Sequence, residues 1–142
     1  MNKSMDVRWK QRFQNFDRAF ELLRSALSNK ALSECSDLEQ EGIVQRFEFS
    51  FELAWKTMKD YLEDSGIVLT QITPRNVIKE AFRAGVIPDG QVWIDMMLHR
   101  NLLSHTYDFS RFKTVLEAVV DRYIHVLEQL HSWFAGRLSE DD

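Results

Sequence analysis

Eight consecutive residues, Arg100-Asn101-Leu102-Leu103-Ser104-His105-Thr106-Tyr107, place a guanidinium, an imidazole and a phenol at the end of an otherwise apolar stretch that begins at Val92. Together these groups can hold a phosphate, move a proton and offer a modifiable hydroxyl. A guanidinium forks onto two phosphate oxygens and stays charged at any relevant pH. It can also stabilise charge that builds on a scissile phosphate in the transition state. Histidine ordinarily titrates near about 6.5, so it can take a proton from an RNA 2′-hydroxyl or give one to a leaving 5′-oxygen near neutrality. Such chemistry asks for no metal. The same residues also suit a helix C-terminus, where Arg100 and His105 would answer exposed carbonyls and the helix dipole. Five helical steps turn about 140°. Arg100 and His105 therefore share a face only if the helix ends near Ser104 and His105 swings back. Tyr107 would lie nearly in line with Arg100 on a continued helix.

Other side chains can support such a site. Glu48 and Glu52 fall four apart, with Lys56 one turn on. The two carboxylates could bind a cation or orient Arg100, while Glu52 and Lys56 also suit a surface ion pair. Arg75, Lys79 and Arg83 form one basic stripe that can guide an RNA backbone or meet an acidic partner, and equally suits a solvated helix face. His99 neighbours Arg100 and can line a cleft. His125 and His131 read as helix-surface residues and make no ligand set with it, so no metal site is expected. No glycine-rich phosphate loop occurs, so no nucleotide cofactor is expected either. Cys35 sits in a polar loop without a visible base.

The elements that must position these residues are helical. Trp9, Phe13, Phe16, Phe20, Leu23 and Leu27 recur at steps of four and three, one helical stripe. A second long helix is expected from about Leu38 to Asp64, with Ser65-Gly66 as its stop and Gly66 in a left-handed conformation. Thr73-Pro74 marks the start of a short third helix that ends near Gly85. Asp89 is placed to cap a fourth helix, Gln91 to about Ser104. Asp108 or Ser110 caps the last, whose stripe is Phe112, Leu116, Val119, Tyr123, Val126, Leu130 and Trp133, widened by Val115, Val120, Ile124, Leu127 and Phe134. Trp55, Trp93 and Trp133 read as core. No strand alternation, repeat or linker appears. The expectation is an all-α, antiparallel four- to five-helix bundle, up-and-down, in a single domain spanning 1–142. The second and last stripes are wide enough to leave apolar surface for a homodimer.

Composition narrows the function classes. The net charge of −4 excludes a general charge-driven grip on nucleic acid while leaving room for a local basic site. A single cysteine forms no internal disulfide and fits a reducing cytoplasm. No apolar run approaches the roughly 20 residues that span a bilayer, and the polar stretch from Met1 to Gln14 lacks a signal-peptide core.

Three blocks, in order, give this chain a family likeness. The first runs from Arg46-Phe47-Glu48-Phe49-Ser50-Phe51-Glu52 to Leu62. The second is Pro74-Arg75-Asn76-Val77-Ile78-Lys79-Glu80-Ala81-Phe82. The third runs from Trp93 through Arg100-Asn101 to His105-Thr106-Tyr107-Asp108. With the flanking helices they cover nearly the whole chain, which resembles the HepT-like branch of the HEPN superfamily, the nucleotidyltransferase substrate-binding proteins. The third block holds the HEPN signature: Arg, four residues, His, one residue, Tyr. The resemblance implies a helical bundle that dimerises and brings two Arg-His motifs to a shared cleft. It implies a metal-independent endoribonuclease toxin, paired with a small nucleotidyltransferase antitoxin that adenylylates the motif tyrosine. Carried over by position, Arg100 and His105 are catalytic, Tyr107 is modified, and Asn101 is a positioning residue. One motif supplies one imidazole, and a two-fold dimer supplies the second that separate base and acid roles require. An adenylylated Tyr107 would add negative charge and bulk near Arg100. The alternative is a non-catalytic subunit that presents a substrate, or its own Tyr107, to a nucleotidyltransferase.

Overall fold

The aromatic stripe that opens the chain becomes α1, Arg8–Asn29, and buries Trp9, Phe13, Phe16, Phe20 and Leu23 against the rest of the molecule. In the computed structural model, residues 7–105 and 108–140 are described, with the backbone alone for 104 and 105. After a short 3-10 turn, Leu32–Glu34, comes α2, Asp37–Asp64. Its start is set by a capping box. The Ser36 hydroxyl accepts from the Glu39 amide at 3.1 Å, and the Glu39 carboxylate accepts from the Ser36 amide at 2.9 Å. That amide, and Lys30 after it, pull the Glu39 carboxyl down to about 2. Gly66, with φ +89, ends α2 as expected, and Ile67 donates its amide back to Leu62 at 3.0 Å.

The next starts are also local. Thr73 accepts from the Asn76 amide at 3.2 Å and opens α3, Pro74–Arg83. Asp89 accepts from the amides of Gln91 and Val92 and opens α4, Gly90–His105. Asp108 accepts from the Ser110 amide at 2.9 Å and opens α5, Phe109–Ala118. A five-residue π-helical segment, Val119–Tyr123, then leads without a break into α6, Ile124–Glu140.

Cross-helix contacts fix the directions. Lys30–Glu39, Arg46 to the Leu22 carbonyl, and Arg12–Asp60 step up one helix and down the other, so α1 and α2 run antiparallel. His131–Asp17 and the Phe134–Trp9 ring contact show the same for α1 and α6. Packing on all five other helices makes α2 the central element. Its one buried carboxylate, Asp60, is held by Arg12 at 3.0 Å and Lys59 at 3.2 Å. The all-α bundle expected from the stripes is what forms. Among the described residues no helix is long and apolar enough to cross a membrane.

One expectation is corrected. The last helix is not one regular α-helix. A π turn inserts an extra residue, and beyond Tyr123 the buried face is Leu130 with the widening positions Ile124, Leu127 and Phe134. Leu127 and Phe134 are fully buried there, whereas Val126 and Trp133, assigned to the core by a steady 3.6-residue period, are only half-buried. The fourth helix closes at His105, within one residue of the end expected near Ser104. The His105 backbone therefore stays in helical register about 140° around α4 from Arg100.

Candidate functional site

Arg100 sits near the end of α4, half-buried against α2. One guanidinium nitrogen, Nη2, lies 3.1 Å from Glu52 Oε2. The guanidinium also lies over the Phe51 ring, 5.5 Å from its centroid. Glu52 is itself fixed from two further directions. Trp55 donates its indole N–H to Oε2 at 3.2 Å, and Lys56 Nζ lies 3.3 Å from Oε1. Of the uses considered for Glu52, binding a cation, orienting Arg100 and pairing with Lys56, contacts to Arg100 and to Lys56 are present, one on each oxygen. Glu48 lies one turn earlier on α2. Burial pushes its carboxyl up, while the nearby Arg100 charge acts to lower it. A fixed, partly desolvated cation beside a carboxylate of raised pKa is suited to gripping an anion and holding a proton.

On its other side α4 meets the π segment. Tyr123 Oη and His99 Nδ1 are 2.7 Å apart, and Arg122 reaches Asp95, one turn before His99, at 3.1 Å. Gln91 donates to the other Asp95 oxygen at 3.0 Å. Burial lowers the His99 pKa, so its ring is neutral at pH 7. Asn101, the residue after Arg100, is exposed.

The expected site residues divide by element. Arg100, Glu48 and Glu52 come together from α4 and α2. His105 is the last helical residue of α4, and Tyr107 lies outside the described residues. Arg75, Lys79 and Arg83 are exposed on α3, with Arg83 paired to Glu80 at 3.5 Å. The single-stripe reading of α3 holds, and its basic face is built separately from the α2–α4 cluster. His125 is exposed as expected.

His131 is not a plain surface residue. Its Nε2 lies 2.6 Å from Asp17 Oδ1, and its ring packs on Phe13, Phe16 and Phe20. Donor atoms of Asp17, Glu21 and His131 fall within 4.8 Å of one another. Each has a partner in the fold, since Glu21 takes Arg24 at 2.7 Å and Asp17 takes His131. This group joins the two ends of the chain, which no local spacing could reveal.

Comparison with known proteins places the chain among relatives. Residues 11–134 match the family model described as nucleotidyltransferase substrate binding protein like. The chain is 36% identical over 95 residues to the probable ribonuclease HepT of Haemophilus influenzae. That alignment covers 63% of this chain and 65% of the relative, a little under two thirds of its length. A crystal structure of a protein from Thermus thermophilus superposes with a TM-score of 0.72 at 28% identity, covering 87% of this chain and 98% of that one.

Proposed function

The chain belongs to the nucleotidyltransferase substrate binding protein like family, and from that premise we propose that it is a metal-independent endoribonuclease, the toxin of a pair silenced by a nucleotidyltransferase. The observation that carries the reading is Arg100. Its guanidinium is preset by Glu52 and Phe51 on the helix that ends at His105. Arg100 grips the scissile phosphate and opposes the charge that develops on it. One motif histidine takes the proton from the 2′-hydroxyl as that oxygen bonds to phosphorus. The P–O5′ bond breaks, and a second imidazole protonates the departing 5′-oxygen, leaving a 2′,3′-cyclic phosphate. The two imidazoles are the His105 residues of two protomers. Exposed Phe49 on α2 (56%) and Leu98 on α4 (49%) lie on the two helices that carry Glu52 and Arg100, and supply apolar area for that dimer. Asn101 positions the motif, and exposed Arg75, Lys79 and Arg83 guide RNA or meet the partner. Adenylylation of Tyr107 places a phosphate where RNA must bind and switches the activity off.

The test is expression without the partner and cleavage of RNA by the purified dimer. Arg100→Ala and His105→Ala should each lower cleavage by about 10²–10³-fold and relieve toxicity. Tyr107→Phe should stay active when the nucleotidyltransferase and ATP are added. Mutants as toxic and as active as the parent would overturn the assignment. The family description, with the acidic net charge of −4, favours one second reading: a non-catalytic subunit that docks onto a small nucleotidyltransferase. It predicts a stable hetero-complex and no RNA cleavage by the dimer alone.

A further inference from the structure

Arg100 is gripped by α2 on one side, but its direction also depends on how α4 is rotated about its own axis. On the side facing α5 and the π segment, that rotation is set by two polar tethers one helical turn apart, at Asp95 and His99. Both end on consecutive residues of the π segment, Arg122 and Tyr123. Tyr123 is fully buried and stacks on Phe47, with ring centroids 5.6 Å apart and planes 15° apart, so its hydroxyl has a fixed address. Burial pushes the Tyr123 phenol up to about 12 and lowers the His99 imidazole. At neutral pH the phenol therefore donates and His99 Nδ1 accepts, which leaves the ring proton on Nε2. A π turn is rare, and here it delivers both partners to α4.

We propose that His99 is a positioning residue for Arg100: its bond to Tyr123, backed by Asp95–Arg122, fixes the rotation of α4 so that the next residue's guanidinium stays against Glu52 and Phe51. The lever is short but sufficient. A group roughly 6 Å from a helix axis moves about 1 Å when the helix turns by about 10°. A 1 Å misplacement can cost about 100-fold in rate. The catalytic part of this inference rests on the endoribonuclease reading, and the positional part does not.

The experiment compares Tyr123→Phe, His99→Leu and His99→Asn with the parent dimer. The first removes only the donor and keeps the ring on Phe47, the second removes the acceptor, and the third keeps an acceptor near the Nδ1 position. Two quantities are read: kcat and KM on a fluorogenic oligoribonucleotide, and the Arg100 Nε–H resonance by NMR. The expected result is a fall in kcat of about 10–100-fold in Tyr123→Phe and His99→Leu, with KM changed less than about threefold. The Arg100 resonance should move toward that of a free guanidinium in the same two variants. His99→Asn should restore most of both. An Arg100 resonance that stays in place in Tyr123→Phe overturns the proposal, whether or not kcat falls. If His99→Leu fails to fold, Tyr123→Phe carries the test. If the parent cleaves no RNA, the endoribonuclease reading fails and the resonance alone decides the positional claim.

Discussion

Two histidines close two seams of this bundle in different ways. His131 bonds Asp17 across α1 and α6 at 2.6 Å, and its ring lies among Phe13, Phe16 and Phe20 with centroids 5.0–6.0 Å away. Trp9, Tyr61, Trp133 and Phe134 continue the same aromatic layer. His99 bonds Tyr123 across α4 and the π segment, and its neighbours are the charged pair Asp95 and Arg122. The first seam is held by area, which is non-directional and redundant. The second is held by a few bonds of fixed direction, which specify orientation more than they add stability. The element that carries Arg100 lies on the second kind.

The comparison can be broken by four measurements. Phe20→Ala should have the largest effect, a loss of about 3–5 kcal/mol of stability in urea unfolding, with cleavage per folded molecule unchanged. Glu52→Gln should do the reverse. RNA cleavage should fall about tenfold through a less constrained Arg100, while the melting temperature moves little because Glu52 is a third exposed. Asp17→Asn weakens a polar link whose carboxylate is half exposed, so solvent screening holds its cost to roughly 0.5 kcal/mol. Cleavage should be untouched. An activity loss in Asp17→Asn as large as that in Glu52→Gln would erase the distinction between the seams.

The smallest effect is a pH slope. Burial lowers the His99 pKa below its ordinary value of about 6.5. Between the folded value and that ordinary value the unfolded chain binds more protons, so stability rises with pH there. As pH falls below about 6.5 stability is lost, until the folded value is passed. Melting temperatures from pH 7 to pH 5 should therefore drop more steeply for the parent than for His99→Asn. Equal slopes would show that His99 charges without resistance.

The features legible in the sequence are the ones decided locally. Thr73-Pro74, Asp89, Asp108 and Gly66 each act within one turn of themselves, and each does what its residue type dictates. The start of α2 was equally legible: Ser36 and Glu39 have capping-box spacing and move it to Asp37, one residue before the start expected at Leu38. The Arg100–Glu52 contact was half legible, since four-residue spacing put Glu48 and Glu52 on one face of α2 and left orienting Arg100, binding a cation and pairing with Lys56 all open. The π turn was not legible, because a regular 3.6-residue stripe through Val126 and Trp133 fits the residues as well as the shifted one does. Only the opposing α1 surface decides between them. His131 and His99 both take partners from distant positions, and no periodicity reports a hydrogen bond across a bundle.

The surplus residue in the last helix also determines which deletions the chain can bear. Removing any one residue between Val119 and Tyr123 would leave a more regular α-helix, better satisfied by every rule that acts within a single turn. The stretch before that point packs on α2 and α4, and the stretch after it on α1 and α2. The π turn already absorbs the surplus, so with it gone the two halves keep their facing. A locally improved helix would then keep the aromatic seam and disturb Arg122 and Tyr123, the residues that reach α4. A length change that would turn one half by about 100° anywhere in a regular helix would, inside this π turn, fall on the aim of Arg100 instead.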